Sequence, residues 1–404
     1  MKTFFKPALV AAAALAAGFT SCSKGGDAEN PKDGKAIEIS FTQEALSSNT
    51  RAVGDHVGTQ IAVLSSARIY FATASDDIMD YLDVKFGANS GEAYNAAAKT
   101  VGIDEITNNN TQTVEGLPPT VNKVTIVGNA PGGTYYTTGK TTQHTVSAVN
   151  MAGSVVATPL YGSSNIVDGS TIGDGVFEAD VTVAPVGARI EVGQIAGTAT
   201  GSTIESFTFK GIYINNYYSS MTINGTAPTA RVHNGSTQSN YTDATYLSAE
   251  GTAANSLHDI LFNKVDDKTY DPSTTSGKVW GFNLPAPVEP TATDKTAGDT
   301  APQVAHVIVH IDGVEIATDD ATTYANDRYL TVRNFYLSAD DPDTAYNDTT
   351  TPLPYLKNGY VYRIVSLKFA ESNLTPNPEL SSIDVIVEAT ILGWKADDVT
   401  IDFD

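Results

Sequence analysis

The sequence predicts an all-β protein of two tandem β-sandwich domains with a few short helices. Three observations lead there. Threonine, alanine, asparagine, glycine and tyrosine are plentiful, while long amphipathic helical patterns are few. Short runs of alternating or continuous apolar residues recur between turn signals. The 404 residues also suit two domains better than one.

Met1 to Lys6 is basic, Ala8 to Gly18 is apolar, and Phe19-Thr-Ser-Cys22 follows. That order is expected of a secretory signal peptide, with an apolar run too short to span a bilayer. Cys22 stands where a lipoprotein signal places its acylated cysteine. It is the single cysteine of the chain, so no intramolecular disulfide can form and core packing must hold the domains. Residues 23–35 are polar and read as a tether.

Next comes the stretch around which the chain is organised. Ile37, Ile39 and Phe41 alternate with Glu38, Ser40 and Thr42, the period-two pattern of a half-buried strand. A polar run, Ser47-Ser-Asn-Thr50, ends at Arg51-Ala52 and is exposed enough in character for a protease. A cut after Arg51 would separate a sheet-completing strand from its domain and leave a groove and an unpaired edge.

Residues 60–73 read as a strand pair or one long strand, and Ser90 to Lys99 as the best helix, with Ser90 as N-cap. Val121 to Val127, Ser147 to Tyr161 and Gly175 to Ala184 supply further strands. The domain change is placed at Val183-Ala-Pro-Val-Gly-Ala-Arg-Ile-Glu-Val192, where Pro185 and Gly187 precede a fresh alternating strand. Ile204 to Tyr218 is the strongest strand signal. Residues 220–300 are polar and read as loops with one or two strands, broken by Val279-Trp-Gly-Phe282. Strands resume at Val304 to Ile311, Arg328 to Leu337, Tyr360 to Phe369 and Ile383 to Trp394.

From Ala52 onward the chain holds 18 basic and 41 acidic residues, a formal charge of −23. That excess argues against nucleic acid and anionic lipid as partners. His306 and His310 share one face of a strand about 13 Å apart, too far for one zinc ion, and read as sheet-surface histidines. Asp76-Asp-Ile-Met-Asp80 and Asp340-Asp-Pro-Asp343 lack the spacing of a calcium loop and read as solvated charge. No nucleophile elbow, paired-histidine zinc motif or phosphate-cradling loop occurs, so no enzyme, metal or cofactor is expected.

Several of these features occur together in one family. The signal ending at Cys22, the strand before Ser-Asn-Thr-Arg-Ala, the strand leading into Val127-Gly-Asn129, Pro-Val-Gly-Ala-Arg-Ile at 185–190, Asn358-Gly-Tyr-Val-Tyr-Arg-Ile364 and a terminal strand carrying Trp394 follow the family order of FimA-like fimbrillins. The chain resembles those subunits of type V pili. The resemblance implies transthyretin-like sandwiches, divided here as 1–22 signal, 23–51 propeptide, 52–182 N-terminal domain and 183–404 C-terminal domain. It further implies export to the outer membrane as a lipoprotein and cleavage at Arg51-Ala52 by an Arg-specific surface protease. Assembly with itself and with anchor and tip subunits into a surface fimbria that supports adhesion would follow. The 220–300 region departs from the family pattern.

The C-terminus reads Val399-Thr-Ile-Asp-Phe403, the same inward pattern as Ile37, Ile39 and Phe41. A donor arm over about 383–404 is therefore expected, with Ile383, Val385, Val387 and Trp394 in its first part and Val399, Ile401 and Phe403 refilling the groove. The bland alternative is that this arm completes its own second domain. Two other classes compete with the stalk subunit: a tip or anchor subunit of the same pilus, and a monomeric glycan-binding lipoprotein using Tyr213, Tyr217, Tyr218 and Trp280 as a platform.

Overall fold

The computed structural model describes residues 34–43, 62–107, 110–148, 151, 158–169, 176–226, 231–232, 247–248, 266–267, 269–270, 280–287, 304–317, 323–324, 326–337, 352–353, 355–380, 382–391 and 394–396. Up to Pro185 the strands are β1 (Lys35–Gln43), β2 (Ala62–Leu64), β3 (Ala67–Ala72), β4 (Ile78–Lys85), β5 (Thr100–Gly102), β6 (Gln112–Leu117), β7 (Lys123–Gly128), β8 (Thr145–Ser147), β9 (Leu160–Asn165), β10 (Val167–Asp168) and β11 (Val176–Pro185). The remainder adds β12 (Ala188–Ala196), β13 (Ile204–Asn215), β14 (Tyr217–Tyr218), β15 (Ser220–Thr222), β16 (Arg231–Val232), β17 (Leu247–Ser248), β18 (Asp266–Asp267), β19 (Thr269–Tyr270) and β20 (Trp280–Leu284). It closes with β21 (His306–Ile316), β22 (Thr323–Tyr324), β23 (Arg328–Leu337), β24 (Tyr360–Lys368), β25 (Ile383–Ile391) and β26 (Trp394–Ala396). The protein is all-β.

In the first half one layer runs β5-β4-β3-β7-β9 and the other runs β11-β1-β6, with β10 against β11. Strand β11 belongs to both. Its residues 176–183 pair with β1, and Ala184 and Pro185 pair with Tyr161 and Leu160 of β9. Alternation explains the layering: Ala179, Val181 and Val183 are buried while Asp180 and Thr182 face solvent. These inward residues meet Ile69, Phe71, Leu82, Val84, Val124 and Ile126 of the facing layer in one core cluster.

The second half repeats the scheme. One layer is ordered β13-β21-β23, the other β24-β12 with β19 and β20 at the flank of β12. Strand β25 passes between them: Ile383 to Val387 pair parallel with β23, and Glu388 to Ile391 pair antiparallel with β24. Its core gathers Ile190, Val192, Phe207, Ile212, Phe282, Val307, Val309, Leu330, Phe335, Ile364 and Phe369. The other face of β12 carries Arg189, 1% exposed, with Nε 2.8 Å from Glu191 Oε1 and Nη1 donating to Asn283 Oδ1 at 3.2 Å. A Cβ at Gly281 would stand 1.9 Å from the Arg189 guanidinium, so the bare glycine makes the room this buried pair needs.

Sheet membership changes between Pro185 and Ala188, within the predicted boundary stretch. Gly187 turns the chain there at φ 92, facing Met151 and the Leu284 carbonyl so closely that a Cβ has no space. Two contacts between the halves were not read from the sequence. Ser147 to Thr145 pair antiparallel with Ser220 to Thr222, and β2 pairs in parallel with β26. Beside them Tyr70, Val127, Val146, Val186, Met221 and Ile223 form a separate buried cluster.

The predicted helix over 90–99 is not formed. A single 3₁₀ turn covers Gly87–Asn89, and the Ser90 hydroxyl donates to Asp104 at 2.6 Å, not to a helical amide. Asn95 Oδ1 accepts from the Ala98 amide at 3.0 Å, and Lys99 lies at φ 52 with its amine on Asp80. Local side-chain bonds to the backbone have displaced the i→i+4 ladder.

Candidate functional site around the first strand

Strand β1 is held on both sides. Ala36 to Gln43 run parallel to Val176 to Val183 of β11, and Lys35, Ile37, Glu38 and Ile39 pair antiparallel with β6 across a register slip. Where the β6 ladder stops, the Phe41 amide donates to the Ile106 carbonyl at 2.7 Å. The predicted inward residues are buried to the limit: Ile37 and Ile39 are 0% exposed and Phe41 3%. Full burial of three such side chains is worth roughly 1.5–3 kcal/mol each, as an upper range.

Polar contacts fix the ends and the outer face. The Lys35 ammonium donates to Val121 O at 2.7 Å and lies 4.8 Å from the Phe177 ring centroid. Gly34 lies so near β6 that a Cβ would come within 2.8 Å of the Gly116 carbonyl carbon. Outward, Glu38 is registered with Glu178, Ser40 with Asp180 and Thr42 with Thr182, and the Ser40 hydroxyl donates to Asp180 Oδ1. Without β1, strands β11 and β6 would bound a slot floored by the core, with unpaired backbone on both flanks.

The other predicted site residues are distributed differently. Cys22, Arg51, Ala52, Val399, Ile401 and Phe403 lie outside the described residues. Ile383, half-buried, and Val385, 8% exposed, sit in β25 against the second core, and Val387 is registered with Leu337 of β23. Of the segment expected as the first part of a donated arm, Ile383 to Ile391 pair with β23 and β24 of their own half, and Ile383 and Val385 pack on its core. Trp394 belongs to β26, registered with Ala62 in the other half.

A buried carboxylate pins the loop entering β25. Glu379 adopts φ 65 and its side chain is 4% exposed. It accepts from Asn215 Nδ2 at 2.7 Å, lies 2.9 Å from His306 Nδ1, and pairs with Arg333 Nε at 2.9 Å. Burial alone would raise its pKa, but His306, Asn215 and Arg333 outweigh that and hold it at about 2. His310, for its part, stacks on Tyr329 at 4.7 Å and meets Asp327 at 3.0 Å; burial lowers its pKa and Asp327 opposes that. The reading of His306 and His310 as plain sheet-surface histidines is thus corrected to two partnered, mostly buried side chains.

The remaining aromatic and acidic side chains are placed as follows. Tyr213, Tyr217 and Tyr218 are 5%, 8% and 7% exposed, so they are core residues and not an aromatic platform. Asp76 pairs with Lys123 at 2.7 Å and Asp80 with Lys99, so both carboxylates are held by amines and not merely solvated. Among the described residues no group of three or more His, Cys, Asp or Glu side chains could hold a metal ion. A histidine missed in the sequence closes the junction: His144, 2% exposed, stacks on Tyr136 at 4.0 Å and meets Tyr70 Oη at 3.2 Å. Burial lowers its pKa to about 4 and raises that of Tyr70 to about 12.

No family model and no curated protein matches the sequence. Solved structures do. A fimbrilin (FimA) from Porphyromonas gingivalis W83 shares 15% identity at a TM-score of 0.49, covering 89% of this chain and 98% of its own. The chain is similar to fimbrillins. A candidate cell adhesion protein from Parabacteroides distasonis ATCC 8503 shares 14% identity at 0.48, covering 90% and 98%. Another from Bacteroides eggerthii DSM 20697 shares 12% at 0.48, covering 91% and 99%. The likeness is loose and runs along nearly the whole of each chain.

Proposed function

We propose that this chain is a structural subunit of a cell-surface fimbria that polymerises by strand exchange after proteolysis. The observation that carries the reading is the seat of β1. It is registered with strands on both flanks, its three apolar side chains are buried in the first core, and Arg51 is the eighth residue past its end. A sheet completed by such a strand, with a cleavable connection behind it, is suited to accept a replacement from another molecule. In this reading Cys22 is acylated and tethers the precursor to the outer membrane, and an Arg-specific surface protease cuts between Arg51 and Ala52. Val399, Ile401 and Phe403 of a neighbouring copy then occupy the positions of Ile37, Ile39 and Phe41. The pairing of β25 within its own half supports an exchanged segment that begins beyond Ile391, in which case β26 would have to leave β2. Anchor and tip subunits would terminate the polymer.

The test is digestion of the purified chain with an Arg-specific protease, followed by denaturing gels without boiling. A ladder of multimers is expected, absent when Ile401 and Phe403 are replaced by Asp and absent when Arg51→Ala blocks the cut. Persistent monomer after complete cleavage at Arg51 would overturn the proposal.

A further inference from the structure

The slot has an outer face as well as a core, and that face is acidic. Each outward residue of β1 stands beside one of β11: Glu38 beside Glu178, Ser40 beside Asp180. On the β6 side, Thr113 is registered with Glu38, and Glu115 of the same strand is exposed. On the far side of β11, Val167 of β10 is registered with Glu178. On the resident strand the rung that follows Glu38 is a favourable one, in which the Ser40 hydroxyl donates to Asp180 Oδ1. A carboxylate at the Ser40 position would face Asp180 with like charge and repel it.

We infer that Asp180 selects which strand can fill the slot, by reading the outward residue between the second and third buried positions. This rests on the strand-exchange reading and specifies its electrostatics. Placing Val399, Ile401 and Phe403 on the positions of Ile37, Ile39 and Phe41 puts Thr400 at Glu38 and Asp402 at Ser40. Exchange then removes the hydroxyl that donates to Asp180 and installs a carboxylate facing it. A joint made with the chain's own C-terminal segment is weaker for it, and a strand with a hydroxyl or a cation at that position fits better. The occupant is still the C-terminal segment of a second copy, and Asp402 against Asp180 sets how readily it is taken up.

A double-mutant cycle in the full-length chain, cut after Arg51 at fixed ionic strength, tests this. Asp180→Asn leaves an oxygen to accept from Ser40, so the uncut protein keeps its strand. Each of Asp180→Asn and Asp402→Ser should speed polymerisation roughly threefold, the scale of one exposed opposed pair. Because both remove the same repulsion, the double variant should gain little beyond either single one. Gains that multiply in the double variant would mean that only net charge counts, and would overturn the assignment while leaving strand exchange intact. An unchanged rate in both single variants would overturn it as well. Failure of every cut variant, wild type included, to polymerise would instead remove the strand-exchange reading beneath it.

Discussion

Replacing Ile39 by Ala measures how firmly the slot grips its strand. Ile39 is fully buried, flanked on one side by Ala179 of β11 and on the other by Gln112 of β6, and its side chain reaches the first core. Truncation removes three methyl or methylene carbons and leaves a space that the pairing on both flanks keeps from collapsing. A cost of about 3 kcal/mol is expected, within the range for buried Ile→Ala changes. In protein nicked after Arg51 the segment that includes β1 is held without a covalent bond. That loss then corresponds to about a hundredfold weaker retention. Thr42→Ala on the exposed face of the same strand is the control, expected to change retention by less than about 0.5 kcal/mol. Size-exclusion chromatography of the nicked chain with mass spectrometry of each fraction follows the retained peptide over time. Equal retention in wild type and Ile39→Ala, or an equal loss with Thr42→Ala, would refute the claim that the inward row holds the strand.

Three more outcomes are expected. Glu191→Gln should cost about 3 kcal/mol by leaving the Arg189 charge buried without its counter-ion. Trp280 is registered with Val192 of β12, so urea unfolding followed by tryptophan fluorescence in a Trp394→Phe background reports that half, and an unchanged midpoint would contradict the pairing. His144 is held neutral, its pKa lowered from 6.5 to about 4. The unfolded chain therefore binds the extra proton first, and stability falls as pH drops from about 6.5 toward 4, by on the order of 3 kcal/mol. His144→Phe should flatten that part of the pH–stability curve, and an unaltered slope would assign it elsewhere. Glu379, lowered from 4.5 to about 2, acts in a more acidic window: its contribution is present above pH 4.5 and fades as pH falls toward 2. Glu379→Gln should remove that dependence and loosen the loop entering β25, seen as faster amide exchange at Leu380 and Ser382; unchanged exchange would count against the clasp.

What the sequence disclosed and what it hid follow from the range of each interaction. The pattern of Ile37, Ile39 and Phe41 was legible because a strand buried on one face writes its environment into every second residue. Its two neighbours were not legible, since nothing in Lys35 to Gln43 names Val176 to Val183 as the parallel partner. The helix expected over 90–99 failed for a local reason, the competition of Ser90 and Asn95 side chains for backbone and loop partners. The pairing of 383–391 was hidden for a global one: its apolar residues suit a donated strand and a resident strand equally, and no local pattern names β23 and β24 as its neighbours. Glu379 was invisible because its partners Asn215, His306 and Arg333 come from three distant strands, and no spacing along the chain announces such a meeting.

The flanks of the slot differ in sense, and this gives any assembly built through it a direction. A strand that takes β1's place along the same course must run parallel to β11 and antiparallel to β6, since reversing it would bring a different set of amides and carbonyls to both neighbours. Each subunit would then meet the next through two different surfaces, a filled slot on one and a lent segment on the other. Contacts of that heterologous kind do not close into a two-fold pair; unless they happen to close into a ring they propagate as an open filament. Such a filament would have unlike ends, one presenting an empty slot and the other an unspent C-terminal segment, so growth, capping and attachment to a cell would call for separate partners at each end.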